Sequence, residues 1–400
     1  MASKALTEWR KLPVTLAELC IDTTLRCGQS FRWRKIKDEW ICALHGRILA
    51  LKQDPKYVHY KITWPDAMPG VAKSSIKRNG DALDDSEELL RRYFALNVNL
   101  TALYEQWSAA DANFRQKAPK FTGVRMLSQD AWEALICFIC SSNNNIARIS
   151  QMVHKLCQHY GPLIGYVDGE PIHDFPTPEA LCASDVESRL RELGFGYRAR
   201  YIAETARVIA NDKPVGWLEG LRNPGYDIKV ENGDGESTRS TYKAAHEELL
   251  TLSGVGPKVA DCVCLMGLGW AESVPVDTHV WQIAQRDYKM GKAKTKTFNK
   301  VMYDAVGDLF RNIWGNYAGW AHSVLFTADL RAFSDKGFKQ EPIEEDEIMK
   351  NERSPVKKRT TANSNRNNSD VAPVKKEEEA EDVKVSSLPS PGPAKRRRIK

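Results

Sequence analysis

Between residues 242 and 269 the chain reads YKAAHEELLTLSGVGPKVADCVCLMGLG, and this stretch constrains the fold more than any other. A helical pattern runs to Leu252, the turn Ser253-Gly254-Val255-Gly256 interrupts it, and Pro257 suits the first turn of a second helix. Val259, Cys262, Val263 and Met266 then recur at helical spacing, which predicts one apolar face. The unit is a helix-hairpin-helix over about 243–268. Its glycines let backbone N–H groups come close to a phosphate at the positive end of a helix. Gly254, Val255 and Gly256 are therefore candidates for gripping a DNA backbone without reading its sequence. Gly-x-Gly alone would also suit a plain helix connection; Leu252, Pro257 and Lys258 in register favour the hairpin.

The bulk properties are permissive. A net charge of +6 allows a polyanionic partner without demanding one, and 42% hydrophobic content is ordinary for a globular chain. No run of about 18 apolar residues appears, and MASKALTEWRKL lacks the apolar centre of a secretory signal. A protein off the usual secretory route, with no membrane partner, is expected. Nine cysteines scattered through apolar contexts suit a reducing compartment better than a disulfide framework. Cys137 and Cys140 form a C-x-x-C, but inside the apolar run ALICFICSS, where core packing is the better reading.

From Ser30 to Trp64 the text reads as antiparallel strands: SFRW, EWICAL and RILAL around His45-Gly46, then KYVHYKITW with Val58, Tyr60, Ile62 and Trp64 alternating. From Ser86 the period becomes helical, through SEELLRRYF, DAWEALICFICSS and IARISQMVHKLCQHYG. SDVESRLRELG begins with a capping-box pattern, Ser184 and Glu187, and stops at Gly194. A polar Gly-rich stretch at 223–240 reads as a surface insertion in an otherwise helical region reaching about Phe333. Residues 339–400 hold no aromatic and no cysteine, and are expected to be a disordered tail. The basic runs at 357–359 and 395–400 suit nuclear import. The expected class is α+β, mainly α, with sub-domains at 1–115 (antiparallel sheet), 116–335 (helical) and the tail.

LSGVGPKVADC followed by VPVDTHVWQIAQR resembles the signature of the helix-hairpin-helix Gly/Pro-Asp DNA glycosylase superfamily, and most closely its eukaryotic 8-oxoguanine DNA glycosylase/AP lyase family. GQSFRW at 28–33, SSNNNIARI at 141–149, GFGYRARYI at 194–202 and GWAHSVLFTADLR at 319–331 extend the similarity over about residues 10–335. The resemblance implies a TATA-binding-protein-like N-terminal sheet packed on a helical glycosylase domain, with the active site in the cleft between. It implies excision of 8-oxoguanine opposite cytosine from double-stranded DNA, by a monomer using no cofactor and no metal. The superfamily's endonuclease III and adenine glycosylase branches usually carry a four-cysteine iron–sulfur cluster after the catalytic region, and this chain has no cysteine beyond Cys264. Nuclear localisation, with a possible mitochondrial fraction, follows the same reading.

Breaking a glycosidic bond builds positive charge on the sugar, so a carboxylate and a nucleophile for C1′ are needed. From spacing alone a surface or phosphate-binding lysine is the better reading of Lys258; the resemblance reverses this and makes it the nucleophile, and Asp277 the carboxylate. Asp277 also reads as the N-cap of the helix beginning THVW. By resemblance Phe326 and Cys262 are the walls of the base pocket, Gly28 supplies the carbonyl that senses the N7–H of 8-oxoguanine, and His279 contacts phosphate. Asn143, Asn144, Tyr197, Arg148 and Arg198 match residues that fill the vacated stack and hold the orphaned cytosine. At the Watson–Crick edge the family usually has glutamine and this chain has His322, so formamidopyrimidine purines are expected to be accepted as well as, or better than, 8-oxoguanine. An imidazole donates and accepts once each in its neutral form, and one with the reference pKa near 6.5 would change its pattern between about pH 6 and 8.

Overall fold

The structure, a computed structural model, describes residues 8–65, 84–225, 240–291 and 299–334. The expected tail at 339–400 with its basic runs, and most of the Gly-rich stretch, lie outside them.

Five antiparallel strands form the N-terminal sheet in the order β1-β5-β4-β3-β2: β1 Arg10–Pro13, β2 Arg34–Ile36, β3 Glu39–Leu44, β4 Arg47–Gln53 and β5 Tyr57–Thr63. His45 and Gly46 both take positive φ between β3 and β4, the geometry of a two-residue hairpin turn whose twist matches the strands. Val58, Tyr60 and Ile62 are buried and their neighbours half-buried, as the alternation predicts. One face packs Leu12, Trp40, Leu49, Leu51 and Ile62 against Leu89, Leu90 and Tyr93 of the helix Ser86–Tyr93. On the other face Ile41, Ala43, Ile48 and Ala50 meet Ile164 and Ile172, from a hairpin of β6 (Leu163–Val167) and β7 (Glu170–His173). The sheet is thus covered on both faces.

The structure corrects two local readings. SFRW is not a strand, because β2 begins only at Arg34. Phe31 and Trp33 are buried, but in separate apolar clusters, and the buried Arg32 between them makes two hydrogen bonds to Glu133 at 2.9 and 2.7 Å. The capping box at Ser184 and Glu187 does not form: Asp185 is the N-cap of Val186–Glu192, and no side chain caps it. The stop at Gly194 does hold, through Gly194 N–H to Arg191 O and Phe195 N–H to Leu190 O.

The helical body is built on two adjacent buried helices, Ala131–Cys140 and Pro257–Met266. All ten positions of the first are buried, Cys137 and Cys140 included, and burial pushes both thiols up, Cys140 to about 12. The second carries more than the single apolar face expected: every residue from Val259 to Met266 is buried. The helices Thr278–Asp287, Lys300–Trp314 and Ala318–Asp329 complete the body. Arg32 and Gln29 join it to the sheet. The Gln29 side chain donates to Arg125 O at 2.9 Å and accepts from Leu127 N at 2.9 Å. Removing one partner of a buried ion pair such as Arg32–Glu133 typically costs about 3–5 kcal/mol.

Candidate active site

Gly256 is the N-cap of the Lys258 helix and Pro257 its first residue, so Lys258 lies in the first turn, where the helix dipole is positive. Gly254 sits at φ +76, and a Cβ there would lie 2.5 Å from the Tyr201 ring, so the turn requires glycine at that position. Gly256 differs: its φ is −97 and its Cβ position faces open space. Val255 is buried beneath the turn. Ser253 ties the hairpin to the helix Arg198–Arg207, donating to Glu204 Oε2 at 2.6 Å and accepting from Thr205 Oγ1 at 3.0 Å.

Lys258 and Asp277 line one pocket, together with Gly28, Cys262, His322 and Phe326. Lys258 Nζ donates to Ser141 Oγ at 2.9 Å and stands 5.1 Å from the centre of the Phe138 ring. Asp277 caps Thr278–Asp287, accepting from Val280 N at 3.0 Å, so cap and pocket carboxylate are one residue. Gly28 has φ +88, and a Cβ there would stand 3.1 Å from Ile146 and 3.9 Å from Phe326. Burial pushes the Cys262 thiol up to about 11 against the pull of Lys258, so it stays a neutral wall. The cavity measures about 50 Å³, well below the roughly 300 Å³ at the lower end of small-molecule sites. A wider hollow of about 440 Å³ is lined by Asp84, Asp85, Glu87, Glu88 and Arg91, a mainly acidic set that would repel phosphate.

His322 is 5% exposed, and neither ring nitrogen makes a well-formed hydrogen bond among the described residues. Its ring is tilted between Phe310 and Phe326, at 6.2 and 6.3 Å. Burial pushes it down to about 4 although Asp277 pulls the other way, which corrects the expectation of a switch between pH 6 and 8: the imidazole is neutral throughout.

The other candidates gather around the 141–145 loop. Asn143 is exposed at φ +46. Asn144 donates to Cys140 O at 2.9 Å, and Asn145 caps the helix Ile146–Tyr160 by accepting from Arg148 N. Arg148 is exposed. Tyr197 is 47% exposed and donates to Ser142 O at 3.0 Å. Arg198 is buried, with its guanidinium on the Tyr197 ring at 4.5 Å; it donates to the carbonyls of Ser142 and Asn143, and its Nε has no partner among the described residues. His279 is exposed, its Nδ1 3.9 Å from Asp329 Oδ2. Ser141 and Phe138, which contact Lys258, were not singled out from the sequence; their side chains meet the lysine across more than a hundred residues, and no local pattern marks them.

Among the described residues no group of three or more His, Cys, Asp and Glu could hold a metal ion, and no helix is long and apolar enough to cross a membrane.

Residues 11–135 match the 8-oxoguanine DNA glycosylase N-terminal domain family, and residues 136–304 match the HhH-GPD superfamily of base excision DNA repair proteins. The N-glycosylase/DNA lyase of Saccharomyces cerevisiae is 38% identical over 336 residues, spanning 80% of this chain and 86% of that protein. The N-glycosylase/DNA lyase OGG1 of Arabidopsis thaliana is 35% identical over 329 residues, 81% of each. In fold, the chain is similar to the apo 8-oxoguanine glycosylase/lyase of Clostridium acetobutylicum, with a TM-score of 0.63 at 23% identity over 82% of this chain and all of that one. The hairpin, the sheet in front of it and these matches together make the chain a member of the helix-hairpin-helix N-glycosylase/DNA lyase family of base excision repair enzymes.

Proposed function

We propose that this enzyme flips 8-oxoguanine, and ring-opened formamidopyrimidine purines as well, out of pairing with cytosine and releases the base with Lys258 as nucleophile. The observation that carries this reading is the shared pocket of Lys258, Asp277, His322, Phe326, Cys262 and Gly28. The amine of Lys258 attacks C1′, the C1′–N9 bond breaks, and its electron pair leaves with the base, which takes up the proton that the amine gives up. Asp277 stabilises the positive charge that builds on the sugar meanwhile. Opening of the sugar ring leaves an imine between Nζ and C1′. Transfer of a C2′ proton to water then forms a C2′–C3′ double bond, breaks the C3′–O bond and expels the 3′ phosphate.

A flipped base needs stacking walls and edge contacts, which Phe326, Cys262, the Gly28 carbonyl and His322 supply. Asn143, Asn144, Tyr197, Arg148 and Arg198 hold the vacated stack and the cytosine; His279 and the 254–256 turn hold phosphates. The enzyme acts as a monomer, and the basic runs of the tail suit nuclear import.

Borohydride trapping on a duplex with 8-oxoguanine opposite cytosine tests the reading. Reduction of the imine gives a covalent protein–DNA band, and the Lys258→Gln variant gives none while still binding the duplex. A wild-type protein that releases the base without forming a band would remove Lys258 from the chemistry.

A further inference from the structure

Asp261 lies three residues beyond Lys258 on the same helix, 1% exposed. A buried carboxylate is costly unless donors surround it, and none of the chemistry above uses this one. Its donors come from three separate segments. Oδ1 accepts from Tyr242 Oη and from Ser273 Oγ at 3.0 Å, and His246 Nε2 stands 3.6 Å away. Oδ2 accepts from Tyr303 Oη. Burial beside the Asp261 charge pushes both phenols well up, so Tyr242 and Tyr303 remain protonated donors.

Tyr303 differs from the other donors. While its hydroxyl donates to Asp261, it lies 3.4 Å from the Val276 N–H, which donates to it in a long hydrogen bond. Val276 immediately precedes Asp277. A continuous path therefore runs from the helix of Lys258, through Asp261 and Tyr303, to the backbone that aims the Asp277 carboxylate. Lys258 and Asp277 stand on different elements, and their separation must be held closely, because displacements of about 1 Å can cost roughly 10²-fold in rate.

We infer that Tyr303, anchored on the buried Asp261, is a positioning residue that sets Asp277 against Lys258. The inference rests on the proposed role of Asp277. Tyr303→Phe keeps the ring and removes the hydroxyl that reaches Val276; Tyr242→Phe removes a donor from the same carboxylate without reaching that loop. Single-turnover excision from an 8-oxoguanine:cytosine duplex is measured beside binding to a tetrahydrofuran abasic-analogue duplex, with thermal midpoints for every variant. Tyr303→Phe is expected to slow excision about 10-fold with binding within about 2-fold, whereas Tyr242→Phe stays within about 2-fold in both at a comparable loss of midpoint. In the Asp277→Asn background, where the carboxylate charge is already gone, Tyr303→Phe is expected to change excision by less than about 2-fold.

A full 10-fold loss persisting in that background, or equal losses of rate in Tyr303→Phe and Tyr242→Phe, would show a merely structural role and overturn the proposal. Normal excision by Tyr303→Phe would overturn it too. If Asp277→Asn alone excises at the wild-type rate, the role assigned to Asp277 fails, and this inference fails with it.

Discussion

Ser141 Oγ donates to the Phe138 carbonyl at 2.7 Å and accepts from Lys258 Nζ at 2.9 Å. The hydroxyl thereby turns its lone pairs toward the amine, and the end of one buried helix fixes the start of another. Ser141→Ala would remove the hydroxyl that holds Lys258 Nζ beside the Phe138 ring. We expect base excision to slow by about 10-fold, the equivalent of one lost hydrogen bond of roughly 1.4 kcal/mol. Binding to lesion DNA should be unaltered. Single-turnover rates and a binding isotherm measure the two separately, and an unchanged rate would mean that the amine does not need this anchor.

His322, which is buried, and His154, which is half-buried, give a pH dependence of stability with a definite sign. Burial pushes His322 and His154 down to about 4, while an unfolded chain holds them near 6.5. The folded pKa lies below the unfolded one, so the unfolded chain takes up protons first as pH falls. The stabilisation is complete above about pH 6.5 and is lost between there and about pH 4, up to about 3 kcal/mol for each histidine. The thermal midpoint should therefore drop between pH 7.5 and 5, and drop less in His322→Gln. Over pH 6–8 the neutral His322 should leave the ratio of 8-oxoguanine to methyl-formamidopyrimidine excision flat, with His322→Gln shifting that ratio by the same factor at each pH. A wild-type ratio that changes across this range would show that His322 titrates in the complex.

The two hairpin glycines should separate folding from binding. Gly254→Ala places a Cβ 2.5 Å from Tyr201 at a positive φ, so a loss of about 1–3 kcal/mol in stability is expected. Gly256→Ala meets open space at an ordinary φ and should fold normally, yet it puts a methyl group where a phosphate would approach. Its affinity for undamaged duplex should fall with the melting temperature unchanged. Equal affinity would take this turn out of the interface.

Much of this arrangement is legible in the sequence because it is local. The turn Ser253 to Gly256, the strands around His45-Gly46 and the alternation of Val58, Tyr60 and Ile62 each depend on neighbours a few residues away. β1 is only four residues long with Leu12 alone buried, too little to show a period. β6 and β7 turn at Asp168-Gly169, both at positive φ, a dipeptide that does signal a hairpin; the surrounding helical text obscured it. SFRW misleads because Phe31 and Trp33 are buried in separate clusters rather than on one strand face. Lys258 and Asp277 stand out through the family's motif. Ser141, and the path from Asp261 through Tyr303 to Val276, depend on hydrogen bonds between distant segments, for which spacing holds no record.

Burial of the lysine helix from Val259 to Met266 has a mechanical consequence. A duplex kinked to extrude a nucleotide pushes back on whatever holds its backbone, and smooth bending of a short site costs on the order of 1–6 kcal/mol. A hairpin on the periphery would share that load by fraying. This one is rooted in the interior, so it gives way only with the interior itself, and the compliance of the complex resides in the nucleic acid. Lesions that weaken stacking are then the ones that yield first.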